Sequence, residues 1–196
     1  TFLALLDAWE TDRDADLSEI PGLALPSGSV RAAGASAVRT APRPFVDDLD
    51  SLPMPAWDLV DAERYRKAWT NAHGRFSWNM VTTRGCPYRC NWCAKPVYGT
   101  RYAQRSPERV AEEMRTLKET IRPDHVWFAD DIFGLSHRWI EHFADEVRRR
   151  DASVPFTIQS RVDLMSPSAV EALRHAGAEE VWMGVESGAQ KILDAM

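Results

Sequence analysis

The sequence predicts an α/β fold: part of a barrel of parallel strands, each followed by a helix, preceded by an irregular arm. Three observations predict it. From Phe76 onward, short runs rich in β-branched and aromatic residues alternate with stretches whose apolar residues recur at helical spacing. The later strands follow one another at roughly the 30 residues of a βαβ unit, which makes them parallel neighbours joined by right-handed crossovers. The composition, 44% hydrophobic and 27% charged with a net charge of -5 over 196 residues, is that of a globular chain. It excludes a collagen, a disordered tail and a strongly basic nucleic-acid binder. No apolar run approaches the ~20 residues that cross a bilayer, and no signal peptide is visible.

Residues 1–10 read as a short helix with Phe2, Leu5, Leu6 and Trp9 on one face. The chain opens inside this pattern without an initiator Met, so both ends are expected to be cuts. Residues 11–60 are rich in Pro, Gly, Ala and Asp. Residues 20–32 read as a hairpin turning at Ser27-Gly28, and Pro42, Pro44, Pro53 and Pro55 break any longer element. Residues 1–72 are therefore expected to be an arm or linker, and 73–196 the core.

In the core, residues 77–83 form the first predicted strand. Ser106-Pro107 supplies a cap and a first-turn proline for a helix that turns Val110, Met114, Leu117 and Ile121 to one side. Residues 125–129 are the second strand, and 136–150 a helix buried through Ile140, Phe143 and Val147. Residues 156–161 are the third strand, followed by a helix that opens at Ser166-Pro167 and stops at Gly177. Residues 180–185 are the fourth, with a last helix starting near Ala189. Four such units make half of a TIM-like barrel. Function in these sheets gathers where strands end. That edge carries Arg84-Gly85-Cys86, Asp130-Asp131, Arg161-Val162-Asp163 and Glu186-Ser187-Gly188.

The three cysteines, Cys86, Cys90 and Cys93, fall within eight residues of one another, an odd and tight set that does not make a secreted disulfide framework. Three soft thiolates suit an iron–sulfur cluster or a zinc ion. Zinc needs a fourth protein ligand, for which His73 is the nearest preceding candidate; in a cluster, the iron left without a thiolate is open to a substrate or cofactor.

Cys-x-x-x-Cys-x-x-Cys at the end of the first strand of a βα half-barrel resembles the signature of radical S-adenosylmethionine (radical SAM) enzymes, and Trp92, just before the third cysteine, fits the same pattern. The resemblance covers residues 76–196. It implies a 4Fe-4S cluster on Cys86, Cys90 and Cys93, an open iron that chelates S-adenosylmethionine, and reductive cleavage of that cofactor to a 5′-deoxyadenosyl radical that abstracts a substrate hydrogen. The stretches Ile20-Pro21-Gly22-Leu23, Leu49-Asp50-Ser51-Leu52-Pro53-Met54-Pro55-Ala56-Trp57 and Arg105-Ser106-Pro107-Glu108 are similar to the branch of this family that carries a cobalamin-binding domain. Thr1-Phe2-Leu3-Ala4-Leu5-Leu6 resembles the helix that follows such a domain, which places the domain itself upstream. Its Asp-x-His-x-x-Gly signature is absent, since none of the five histidines sits in that frame.

The resemblance also implies cofactor contacts. Asp130 and Asp131 end the second strand, where a carboxylate meets the amino group of S-adenosylmethionine; the alternative has one capping the loop and the other solvated. Gln159 and Arg161 share one face of the third strand and reach the carboxylate or ribose, unless Arg161 is held in a structural ion pair. Glu186 and Ser187 end the fourth strand, with Glu186 accepting from ribose hydroxyls or either residue capping a helix. Trp127, Trp139 and Trp182 read as core, Trp78 and Trp92 as aromatics beside the cysteine loop. His125 reads as a satisfied strand-end histidine, Lys95 and Tyr98 as loop residues near a substrate, and Arg148-Arg149-Arg150 as a solvated helix end. The implied activity is cobalamin-assisted methylation or oxidative cyclisation of a small organic molecule in the cytoplasm, fed by an electron donor such as a flavodoxin or ferredoxin. A cobalamin-free radical oxidoreductase, a methylthiotransferase-like enzyme and a zinc-stabilised α/β binding module are the competing expectations.

Overall fold

The computed structural model describes residues 1–26, 37–91, 93–94 and 97–196. The chain divides into two compact units, 1–46 and 47–196.

In the first unit, α1 (Phe2–Thr11) buries none of its residues. Among the described residues its apolar side chains stay largely exposed, Phe2 and Leu3 both at 70%. A two-stranded antiparallel ribbon follows, β1 (Ala24–Pro26) with β2 (Ala37–Arg39), in register Leu25 to Val38. The partner strand thus lies beyond Ala32, not within the expected hairpin of 20–32; the expected turn at Ser27-Gly28 lies outside the described residues. Thr40 closes the base of the ribbon, its hydroxyl donating to Ile20 O at 2.7 Å and accepting from Leu23 N at 2.9 Å.

The second unit begins 26 residues before the expected core boundary of 73, at Asp47. Two short 3-10 turns, Leu49–Ser51 and Trp57–Leu59, lead to α2 (Ala62–His73), which is capped by Asp61 at its start and by Gly74 in the left-handed region at its end. The sequence reading missed this helix because its face is polar and buries no residue fully. Directed polar contacts dock it. The Arg66 guanidinium lies 4.4 Å over the Phe76 ring and donates to the carbonyls of Ile121 and Arg122. The Trp57 indole N–H donates to Glu113 at 3.2 Å, Asp50 accepts from Ser106 N, and Arg109 donates to Leu52 O. These are core contacts, not those of a linker.

The sheet holds β3 (Ser77–Met80), β6 (His125–Phe128), β7 (Phe156–Ser160) and β8 (Ala178–Met183), all parallel and in that order. The first predicted strand breaks at Met80. Beyond it, β4 (Thr83–Arg84) pairs antiparallel with β5 (Ala103–Gln104) in a separate ribbon. Helices α3 (Pro107–Thr120), α4 (His137–Arg149) and α5 (Pro167–Ala176) cover one face of the sheet, and α6 (Gln190–Asp194) ends the chain. Ser106 and Ser166 accept from Arg109 N and Ala169 N as N-caps, each followed by proline, as expected. Strand residues with one parity, Trp78, Met80, Val126, Phe128, Phe156 and Ile158, pack against Val110, Met114, Leu117, Ile140, Phe143, Val147 and Leu173.

This parity corrects two aromatic expectations. Trp78 is in the helix-side core at 8% exposure, away from the cysteine face. Trp127 and Trp182 are on the opposite, concave face, ring edge to ring face at 5.0 Å, with Trp182 53% exposed. Only Trp139 of the expected trio packs on the core, stacked on Phe143 at 5.4 Å. Nor is the arginine run fully solvated: Arg150 turns back onto Glu146 and Glu112.

Candidate functional site: a cysteine loop at the strand ends

Past Met80 the chain leaves the sheet but stays tied to it. At the end of β6, the Asp130 carboxylate accepts from Thr82 N at 2.7 Å, from the Thr82 hydroxyl at 2.5 Å and from Thr83 N at 2.9 Å. Asp130 is 2% exposed. Burial outweighs these donors and pushes its carboxyl up to about 6. The β4–β5 pairing then closes the neck of a loop over residues 85–102, reinforced by Arg105 N donating to Thr82 O at 2.9 Å. Gly85 sits at φ +79, and a Cβ there would lie 2.0 Å from Arg101 O. Only glycine permits this crossing.

The loop carries Cys86 and Cys90, both half-buried, and Cys93, exposed; none of the three is in a disulfide. Cys93 N donates to Cys90 O at 3.3 Å. Between the first two cysteines, the Tyr88 ring lies under the Arg161 guanidinium at 4.0 Å, tying the loop to the end of β7.

A cavity of about 310 Å³ opens beside the loop, with Cys86 and Cys93 on one side and Trp127, Asp130, Asp131 and Gln159 on the other. The structure therefore brings five of the expected site residues together. Asp131 is exposed and faces this space, whereas the Asp130 carboxylate is engaged by Thr82 and Thr83. Arg161 is near the loop, but its fork is occupied by Asp163, Nε to Oδ1 at 2.9 Å and Nη2 to Oδ2 at 3.1 Å. That pairing holds the Asp163 carboxyl below its usual range. Glu186 is exposed, in the left-handed region at φ 62, and its carboxylate folds back over Gly184. Ser187 accepts from Ala189 N at 3.1 Å, a local turn. Trp92 and Lys95 lie outside the described residues.

Three features escaped the sequence reading. Trp127 faces the cysteines, and strict alternation with buried Val126 and Phe128 was the signal that would have found it. Tyr102, at the loop neck, has a buried hydroxyl with no hydrogen-bond partner among the described residues. On the same concave face, Ser77, His125 and Thr157 form a chain, Ser77 Oγ to His125 Nδ1 and His125 Nε2 to Thr157 Oγ1, each at 2.9 Å. Burial, then the charge of Arg75, holds His125 below its usual pKa. This chain sits under a second cavity of about 470 Å³ that reaches Trp69 and His73 and shares Trp127 and Ala129 with the first.

The donor set fits an iron–sulfur cluster better than zinc. His73, the fourth ligand a zinc site would need, packs tilted against Trp69 with ring centroids 4.7 Å apart, at the opposite end of β3 from the cysteines. Among the described residues, the ligand atoms that converge within 4.8 Å belong to Glu108, His142 and Glu146 on the outer helices, where Arg149 and Arg150 already neutralise Glu146. The three thiols do not converge so closely. A cluster asks each thiolate to bind a different iron, so a spread set suits it.

A family model described as Radical SAM superfamily matches residues 80–196. The chain is 29% identical, over 99% of its length, to an uncharacterized methyltransferase of Pyrococcus horikoshii, and spans 40% of that protein. It is 28% identical over 80% of its length to the anaerobic magnesium-protoporphyrin IX monomethyl ester cyclase of Rubrivivax gelatinosus, spanning 28% of it. With the hopanoid C-3 methylase of Methylococcus capsulatus, the figures are 24% over 89%, spanning 31%. Among solved structures, the radical S-adenosylmethionine methyltransferase TsrM from Kitasatospora setae, with cobalamin and a 4Fe-4S cluster bound, superposes with a TM-score of 0.69 at 23% identity, covering 97% of this chain and 37% of that one. That likeness shows the shared fold. The chain thus spans less than half the length of each of these proteins.

Proposed function

Since the chain belongs to the radical SAM superfamily, we propose that it forms the cluster-holding part of an enzyme that cleaves S-adenosylmethionine reductively, using the resulting radical to methylate or oxidatively cyclise an organic substrate with the help of cobalamin. The observation that carries this reading is the neck-pinned loop presenting Cys86, Cys90 and Cys93 at the C-terminal edge of a parallel sheet, beside a cavity lined by polar residues from β6 and β7.

A 4Fe-4S cluster bound there supplies the electron and an open iron. The chain's residues supply the rest. Cys86, Cys90 and Cys93 hold three irons. Asp131 and Gln159 face the cavity next to them, so a carboxylate and an amide are placed to receive the ammonium and polar groups of S-adenosylmethionine. Asp130 keeps the loop in register with β6 from behind. Arg161 steadies Tyr88 within the loop and reaches a cofactor carboxylate on release from Asp163. Glu186 and Ser187, on the exposed strand end, are the residues proposed to meet the ribose. The concave face with Trp127, Trp182 and the larger cavity leaves room for an organic substrate directly alongside. Methylation and cyclisation are favoured because the named activities of the similar proteins are of these two kinds. Cobalamin is supported by the TsrM fold likeness, a cytoplasmic setting by a tight, odd-numbered cysteine set that suits a metal cluster and not a secreted disulfide framework, and a flavodoxin or ferredoxin by the electron the reaction consumes.

Anaerobic reconstitution with iron and sulfide tests the reading. It predicts a brown, iron-loaded protein and, after reduction, release of methionine and 5′-deoxyadenosine from S-adenosylmethionine. A colourless protein that takes up zinc through its thiols, and no iron, refutes it. Cleavage by the longer protein without cobalamin binding refutes the cobalamin part alone.

A further inference from the structure

Tyr102 stands immediately before β5, at the neck of the cysteine loop. The β4–β5 register sets Arg84 opposite Ala103, so the next step of the ribbon sets Gly85 opposite Tyr102. The close approach of Gly85 to Arg101 O shows that the two strands continue side by side past the paired residues. Tyr102 is thereby brought next to Cys86, the first of the three thiols.

Its hydroxyl is buried and has no hydrogen-bond partner among the described residues. A buried O–H left without an acceptor is costly and calls for an explanation. Two negative groups bear on it. Burial, followed by the charges of Asp130 and then Cys86, pushes the phenol pKa up, while the nearby Leu135 backbone amide pulls weakly the other way without completing a hydrogen bond. The phenol therefore keeps its proton. Of the two neighbours, Asp130 already accepts from three donors on Thr82 and Thr83. The sulfur of Cys86 is a weak acceptor as a thiol and a strong one as a thiolate, which leaves it as the group that gains most from the Tyr102 proton.

We propose that the Tyr102 hydroxyl donates a hydrogen bond to the Cys86 sulfur once that sulfur is a cluster-bound thiolate, making Tyr102 a positioning residue that orients Cys86 and tunes the reduction potential of the cluster. The inference rests on the cluster assignment above. Hydrogen bonds to the sulfurs are among the determinants of iron–sulfur potentials, and a donor stabilises the more negative, reduced cluster.

The test is Tyr102→Phe in the 196-residue chain, with iron and sulfide content, a redox titration followed by electron paramagnetic resonance, and deuterium hyperfine spectra after exchange into heavy water. The expected result is an unchanged iron content, a midpoint potential moved to a more negative value, and loss of one exchangeable deuteron coupling. Fluorotyrosine at position 102, a stronger donor of the same shape, moves the potential the other way and serves where the Phe variant fails to fold. A potential and deuteron coupling unchanged in both variants overturn the proposal. Iron and sulfide analysis of the wild-type chain separates this failure from that of the cluster reading: an iron-loaded wild type whose potential and deuteron coupling survive both substitutions overturns the Tyr102 assignment alone, whereas a wild type that takes up no iron refutes the cluster and the proposal with it.

Discussion

Replacing Asp130 with Asn probes the tie between the sheet and the cysteine loop. The carboxyl is pushed from the model-peptide value of 3.8 up to about 6 by burial, against the pull of three hydrogen bonds. The native state therefore holds the proton more tightly than the unfolded chain. Below about pH 4 both states are protonated and the group contributes nothing; as pH rises from 4 to 6 the unfolded chain ionises first and folding loses stability. The shift of about two units corresponds to about 3 kcal/mol at 1.36 kcal/mol per unit, fully expressed above pH 6. Asparagine has the shape of the protonated acid, can still accept from Thr82 N and Thr83 N, and does not titrate. Urea unfolding of both proteins from pH 4 to pH 7 should show the variant gaining on the wild type by about 3 kcal/mol across that range, the contributions of other titrating groups cancelling in the difference. A difference that stays flat with pH refutes the argument that burial, more than the threonine donors, governs this carboxylate. Alanine should behave differently, destabilising at every pH because it leaves two buried amide donors unpaired, each costing about 1 to 3 kcal/mol.

Replacing Cys86, Cys90 or Cys93 with Ala should abolish cluster assembly, and iron and sulfide analysis of each variant checks it. Gly85→Ala combines a left-handed backbone with an overlap on Arg101 O; it should cost about 2 to 5 kcal/mol in chemical denaturation and lower cluster loading in parallel. Glu113→Ala strips Arg105 and the Trp57 indole of their buried partner, so thermal or urea unfolding should show a loss of about 3 to 5 kcal/mol. In cluster-loaded protein, Glu186→Ala should weaken S-adenosylmethionine binding about tenfold by calorimetry with iron content unchanged.

Strand and helix periodicities are local properties of the chain, and they were enough to order the four βα units and to bring Cys86, Asp130, Asp131 and Gln159 to one edge. A parallel sheet puts the ends of all its strands on the same side whatever the loops do. The face of Trp127 was misread as core, although side chains alternate along a strand and its neighbours Val126 and Phe128 are plainly apolar core. Pairings between distant segments were not legible. Asp130 meets Thr82 across 48 residues of chain, Trp57 meets Glu113 across 56, and the β4–β5 ribbon that pins the loop is two residues long on each side, too short to leave a period. The segment 47–73 looked like a linker because the residues that dock it, Leu49, Trp57, Val60 and Tyr65 among them, are scattered over short turns and a mostly polar helix and leave no periodic apolar stripe. Which of Asp130 and Asp131, both on the cavity wall, is engaged by Thr82 and Thr83 depends on which buried donors and acceptors reach one another. That is settled by desolvation, which acts only once the chain has closed around them.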